Sequence, residues 1–117
     1  ITMGMAADRF DARRGAVLAE ANSIGTTFLR TAFLPEPAAA ESRELIREYV
    51  PLRTIEGEPS DDEVAAIVAR SDEILSELWS IAAVLADETP DSEMLALYVT
   101  TLNETIDANT TRITAGH

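Results

Sequence analysis

The stretch "SDDEVAAIVARSDEILSELWSIAAVL", Ser60–Leu85, carries the strongest fold signal in the chain. Ser60 and Glu63 form an S-x-x-E capping box, in which each side chain satisfies a free backbone N–H at a helix start. Asp61 and Asp62 add negative charge at the positive end of the helix dipole. Small or apolar residues then recur every three or four positions, which predicts one long amphipathic helix. The residues of its predicted buried stripe are Val64, Ile67, Ser71, Ile74, Leu75, Leu78, Ala82 and Leu85.

Two helices are predicted before this stretch. The first runs from about Met5 to Phe33 and ends at the "LPEP" segment, Leu34–Pro37, because a proline disfavours helix in the residue before it. The second begins with Pro37 in its first turn and ends near Pro51, before a loop at Thr54–Ser60. Its predicted stripe is Leu45, Ile46, Tyr49 and Val50. The predicted apolar face of the first helix is Phe10, Val17, Leu18, Ala21, Ile24, Gly25, Phe28, Leu29 and Ala32.

A fourth helix is predicted after the long one. Thr89 and Pro90 suit an N-cap and a first helical position, so we expect the helix to begin there. Its predicted stripe is Leu95, Tyr98, Leu102, Ile106 and Ile113, widened by Met94 and Val99. Four helices with short connections predict an all-α, antiparallel four-helix bundle with a long first helix, forming a single domain over residues 1–117. In such a bundle both chain ends lie at the same pole.

Composition narrows the function classes. The chain has 117 residues, a formal net charge of −12 and no cysteine. Such acidity disfavours nucleic acid as a partner and agrees with a soluble surface. No nucleotide-binding or metalloprotease motif occurs, and the single histidine is the last residue, His117. We therefore expect no enzyme active site, no cofactor and no metal site.

The segment "EANSIGTTFLR", Glu20–Arg30, holds several poor helix formers within the first helix. Gly25 falls near the centre of the predicted apolar face, where a glycine costs about 1 kcal/mol relative to alanine. We expect it to allow close approach of a neighbouring helix, with a flexible hinge as the alternative. Asn22 and Thr26 lie at the border of that face, and we expect them to fix helix register or packing.

Arginines and an asparagine are expected to gather at the pole that carries both chain ends. In an antiparallel pair of the first and fourth helices, the sequence places Asn109 level with Arg14, and Asn22 level with Leu102. The expected cluster is Arg13, Arg14, Asn109 and Arg112. Two interpretations stay open: satisfied polar contacts that fix helix register, or a membrane-proximal site for an anion or headgroup.

Several stretches, read in order, resemble one bacterial family. They are "DRFDARRGAVLAEANSIGTTFLR" at Asp8–Arg30, "LPEPAAAESRELIREYVPLR" at Leu34–Arg53, "SDEILSELWSIA" at Ser71–Ala82 and "LNETIDANTTRI" at Leu102–Ile113. Together they resemble the bestrophin-like domain proteins, also called the domain-of-unknown-function 4239 family. Pro51 and the short loop at Thr54–Ser60 depart from the family pattern.

The resemblance implies a multi-pass protein of the cell membrane, with this chain as the extramembrane domain between flanking transmembrane helices. The apolar opening at Ile1–Met5 agrees with the end of such a helix. The family carries over no catalytic residue. The expected function is therefore a non-enzymatic structural, assembly or signalling module, with a homo-oligomer as an open question. The alternative is a subunit of a bestrophin-like anion or ion pathway lined by membrane-proximal arginines. The side of the membrane stays open.

Overall fold

Four α-helices and one short 3-10 turn make up the computed structural model, which describes the backbone of residues 2–115 and the side chains of residues 14–114. Helix α1 spans Thr2–Arg30 and continues into the 3-10 turn at Thr31–Phe33. Helices α2, α3 and α4 span Ala38–Leu52, Asp61–Glu88 and Glu93–Ala115. No strand occurs in the described part, so the predicted all-α bundle is confirmed.

Neighbouring helices run antiparallel. In the α1–α4 pair, Arg112 near the end of α4 donates to Glu20, whereas Arg30 at the end of α1 donates to the Leu97 carbonyl near the start of α4 at 2.6 Å. The residue numbers increase in opposite directions along the two helices, so they are antiparallel. In the α2–α3 pair, Glu48 near the end of α2 pairs with Arg70 in the first half of α3, whereas Ala38 at the start of α2 lines a pocket with Leu85 near the end of α3. The N-terminal part of α1 and the end of α4 therefore lie at one end of the bundle, the terminal pole.

The starts of α3 and α4 test the capping residues predicted from the sequence. The Ser60 hydroxyl accepts the Glu63 N–H at 3.1 Å, which confirms the predicted start of α3. The start predicted for α4 at Thr89–Pro90 is wrong: α4 begins at Glu93, and the Ser92 hydroxyl accepts the Leu95 N–H at 3.1 Å. Thr89 instead closes α3, because its N–H and hydroxyl both donate to the Leu85 carbonyl.

Most of the core lies between α2, α3 and α4, with Ile24 of α1 and Leu34 completing it, and it follows the stripes predicted for α2, α3 and α4 in most positions. The largest fully buried side chains include Tyr49, Ile74, Leu78, Tyr98 and Leu102. At the margins the prediction was too wide, since Val50 of α2 and Met94 of α4 are exposed. Within the described residues, none of the helices combines the length and hydrophobicity that a membrane span requires.

The face predicted to be buried on α1 is wrong. Leu18 and Leu29 are 55% and 74% exposed, whereas Glu20 and Thr27 are 2% and 1% exposed. Of the predicted face, Ile24 is buried and Phe28 is half-buried, and Phe10 lies outside the described side chains. The residues that α1 and the 3-10 turn bury are Glu20, Ile24, Thr27 and Thr31.

Partners on α4 explain why a polar face of α1 is the buried one. The Thr27 hydroxyl donates to the Ser23 carbonyl at 2.6 Å and lies 3.4 Å from the Thr105 hydroxyl. Thr105 in turn donates to the Thr101 carbonyl at 2.9 Å. A buried hydroxyl costs little once it is hydrogen-bonded, so these threonines pack as small, satisfied side chains.

Candidate functional site

A buried carboxylate held by two arginines lies at the terminal pole. Glu20 projects from α1, Arg53 follows the last residue of α2, and Arg112 lies in the last turn of α4. Arg53 Nε donates to Glu20 Oε1 at 2.5 Å, and Arg112 Nε donates to both carboxylate oxygens at 3.1 and 3.2 Å. One acidic side chain thereby joins three separate parts of the chain.

Asn109 extends this contact into a network that reaches all four helices. Its Oδ1 accepts from the Tyr49 hydroxyl at 3.1 Å and from Arg112 Nη2 at 2.9 Å. Its Nδ2 donates to Asp72 Oδ1 of α3 at 3.4 Å. We call Glu20, Tyr49, Arg53, Asn109 and Arg112 the polar layer.

Burial makes the polar layer a strong constraint on the fold. The side chain of Glu20 is 3% exposed, while those of Arg53 and Arg112 are 16% and 29% exposed. A buried ion pair adds little net stability when intact, but removing one partner costs several kcal/mol because the other charge stays desolvated. The layer therefore fixes one alignment of α1, α2 and α4.

Electrostatics of the layer also act on Tyr49. Burial raises the pKa of Tyr49, since the phenolate would be desolvated, and the negative charge of Glu20 raises it further. The guanidinium group of Arg112 lies close enough to lower the pKa of Tyr49, which partly offsets both effects. Tyr49 therefore stays protonated at neutral pH and donates its hydroxyl proton to Asn109.

Two of the four residues predicted to cluster are brought together. Asn109 and Arg112 are hydrogen-bonded in the polar layer, but Arg14 is exposed and the side chain of Arg13 lies outside the described residues. The predicted register is wrong by about two turns. Thr105 faces Thr27, and Arg112 faces Glu20. Asn109 lies between Thr105 and Arg112 on α4, so it is level with the part of α1 between Glu20 and Thr27 and not with Arg14.

The packing roles predicted for Asn22 and Gly25 are also corrected. Both residues are exposed, and a Cβ built on Gly25 would meet no atom within 4 Å, so no helix approaches there. Thr26 is half-buried at the edge of the buried face. Register contacts come instead from Glu20 and Thr27.

Sequence reasoning missed Glu20, Tyr49 and Arg53 as members of the site. One signal was available: Glu20 is the single charged residue between Arg14 and Arg30, in a long uncharged helical segment. A lone carboxylate in such a segment favours a buried, paired charge. Nothing local marks Arg53, which follows Pro51 and Leu52 at the helix end.

The chemistry of the layer is that of binding and support. No group of three or more His, Cys, Asp or Glu side chains that could hold a metal ion occurs among the residues described. The layer holds a carboxylate, an amide, a phenol and two guanidinium groups, each engaged with another. Such an arrangement can orient helices and present positive charge.

Comparison with known proteins gives no match to this chain among protein-family models, curated proteins or solved structures. The geometry of the bundle and of the polar layer therefore bears on the structural role of the chain, and only the sequence resemblance bears on its membrane placement. The resemblance to the bestrophin-like domain family stays a prediction from the sequence motifs.

Proposed function

We propose that this chain is the extramembrane domain of a multi-pass bacterial membrane protein and acts as a non-enzymatic structural and assembly module. Its role is to hold together the segments that lead into α1 and out of α4. The observation that supports this role is the polar layer, which ties Glu20 of α1 to Arg112 of α4 at the terminal pole.

A mechanical argument connects this contact to the role. Sliding α1 along α4 would separate Glu20 from Arg112 and leave a desolvated carboxylate. The same movement would break the contact between Thr27 and Thr105, one layer deeper in the bundle. We therefore expect the two helices to move as one body and to transmit force from α1 to α4. This rigidity serves assembly, and it would also transmit a signal.

The membrane placement is tested on the complete gene product. Because this chain has no cysteine, a single Glu36→Cys substitution at the exposed turn after α1 adds one reactive thiol to it. The proposal predicts recovery of the gene product in the membrane fraction. It also predicts that a membrane-impermeant maleimide labels the thiol from one side only. Recovery of the intact product in the soluble fraction would contradict the placement.

The clamping role is tested on this chain alone. Spin labels at Arg14→Cys and Thr111→Cys, both exposed, report the distance between the two helices at the terminal pole. We expect one narrow distance distribution, broadened by Glu20→Gln and unchanged by Glu77→Gln, an exposed site on α3. A distribution of the same width in the Glu20→Gln variant would refute the clamp.

Self-association is part of the proposed assembly role. The exposed stripe of α1, with Leu18, Leu29 and the small residues Ala21 and Gly25, is a surface on which the same helix of a second copy could pack. We expect light scattering to show a dimer or larger species at high protein concentration. Leu29→Glu should return it to a monomer, and a wild-type monomer at all concentrations would contradict self-association.

The alternative of an anion pathway is not proposed. Arg112, one of the arginines expected to line it, donates to Glu20 and Asn109 within the bundle. No observation on the described residues favours conduction over support.

A further inference from the structure

Beside the polar layer lies a pocket of about 280 Å³, enclosed by the end of α2, the following loop, the first turns of α3 and the end of α4. Its walls are mostly aliphatic. The aliphatic residues that line it are Leu52, Ile55, Val64, Ile67, Val68 and Ile113. Arg53 and Arg112 also line this pocket, so two positive side chains border an apolar space.

Both arginines are held in place and still have donors to offer. Glu20 fixes them through their Nε atoms, so their guanidinium groups are preorganised. Among the residues that the structure describes, Nη1 and Nη2 of Arg53 and Nη1 of Arg112 have no hydrogen-bond partner. A guanidinium has five N–H donors in a planar fork, which suits a carboxylate.

The local charge also favours an anion. The charged residues that line the pocket are Arg53 and Arg112, and their shared partner Glu20 is not among the lining residues. The larger groove between α2 and α3 is different, because four glutamates line it beside one arginine, Arg47. The glutamates are Glu41, Glu44, Glu48 and Glu77. The small pocket therefore combines apolar walls with available cationic donors.

We propose that this pocket binds a small amphiphilic monoanion, a carboxylate with a short aliphatic chain. The carboxylate would accept from the free guanidinium nitrogens, and the chain would lie against the aliphatic walls. Small-molecule sites begin at about 300 Å³, so the ligand is short, with roughly four to eight carbons. This site shares Arg53 and Arg112 with the polar layer, but it requires no membrane and no movement of α1.

Three probes separate charge from hydrophobic contact on the unaltered chain. Hexanoate has both features, acetate has only the charge, and hexanol has only the chain. By NMR titration we expect hexanoate to bind saturably with a dissociation constant on the order of 1 mM. The shifts should concentrate on the methyl groups of Ile67, Val68 and Ile113. Acetate and hexanol should each bind at least about tenfold more weakly, because each loses one class of contact.

A pair of matched variants in α3 then tests the location. Val68→Phe fills the pocket and leaves both arginines in place, whereas Val84→Phe makes the same change at an exposed site near the other end of α3. We expect Val68→Phe to weaken hexanoate binding at least about tenfold and Val84→Phe to leave it unchanged.

Three outcomes overturn the proposal: no saturation by hexanoate at tens of millimolar, equal affinity for hexanol, or unchanged binding in a folded Val68→Phe variant. If Val68→Phe does not fold, the comparison of the three probes on the unaltered chain decides. Failure of hexanoate binding leaves the spin-label test of the clamp unaffected, so the two proposals are judged separately.

Discussion

The two faces of α1 contrast sharply in chemistry and in burial. One face has Leu18, Gly25 and Leu29 and is exposed, whereas the other has Glu20 and Thr27 and is buried. Hydrophobicity alone favours the reverse arrangement. What differs is the partner: the buried face meets Thr105 and Arg112 of α4, each matched by hydrogen bond or charge.

The contrast teaches that burial depends on satisfaction by neighbours as much as on apolar character. Thr27 can be 1% exposed because its hydroxyl already donates to the Ser23 carbonyl of its own helix. Glu20 can be 2% exposed because Arg53 and Arg112 supply opposite charge. A helix face with such partners packs tightly, and an apolar face without a partner stays exposed.

Removing the charge on the buried face should have the largest effect. We expect Glu20→Ala to lower the free energy of unfolding by about 3 kcal/mol, because Arg53 and Arg112 are left close together without their anion. The matched control Glu77→Ala, on an exposed part of α3, should change it by less than about 0.5 kcal/mol. Urea unfolding measures both, and equal values would show that Glu20 is not a buried, paired charge.

A second comparison sets one aliphatic residue on each face against the other. Ile24→Ala should destabilise the chain by about 2 kcal/mol, since Ile24 is 6% exposed and its loss leaves a cavity. Leu29→Ala, at 74% exposure, should change stability by less than about 0.5 kcal/mol. Thermal unfolding of dilute protein checks the pair, and a larger loss for Leu29→Ala would reverse the assignment of the two faces.

Gly25 offers a substitution that should stabilise the protein. A Cβ at this position would meet no atom within 4 Å, and helical glycine is unfavourable relative to alanine. Gly25→Ala is therefore expected to raise the free energy of unfolding by about 0.5–1 kcal/mol. If Gly25→Ala instead destabilises the protein in the same urea experiment, the result would support the close helix approach that the sequence predicted at this position.

The smallest expected effect is on the pH dependence of stability, and it comes from the buried hydroxyl of Tyr98 in the core. Burial raises the pKa of Tyr98, and the nearby Ser42 hydroxyl offsets this only in part. Neither hydroxyl reaches hydrogen-bonding geometry with a partner among the described residues. A raised pKa gives stability that is present below the ordinary tyrosine value, about 10, and is lost as pH rises through the folded value.

In urea unfolding experiments from about pH 8 to pH 11.5, the urea concentration at the unfolding midpoint should therefore fall above about pH 10. Tyr98→Phe should reduce that fall and cost little near pH 7, because no hydrogen bond is removed. Identical pH profiles for the variant and the wild type would mean that Tyr98 ionises without a folding penalty.

Most of the fold could be predicted from the sequence where the signal is local. The Ser60–Glu63 cap and the stripes of α2, α3 and α4 depend on residues within one or two turns of each other. Helix α1 was different, because its threonines and its single internal glutamate look polar until their partners are known. Glu20 has two partners, Arg53 and Arg112, which are 33 and 92 residues away from it in the chain.

The candidate site was predicted only in part for the same reason. Asn109 and Arg112 were found because they lie on one face of a single helix. Which residues of α1 they face depends on where α4 begins. Ser92 caps the start of α4, about one turn later than the predicted cap Thr89. That displacement accounts for about one of the two turns by which the expected register was wrong, and it moves the arginine end of α4 towards Glu20.

Cysteine cross-linking tests the central claim, which is that α1 presents its polar face to α4 in this register. The chain has no native cysteine, and the side-chain oxygens of Thr27 and Thr105 lie 3.4 Å apart. The double variant Thr27→Cys and Thr105→Cys should form a disulfide under mild oxidation. The pair Asn22→Cys and Leu102→Cys, adjacent in the register expected from sequence, should stay reduced. The opposite result, a bond only in the second pair, would contradict the account.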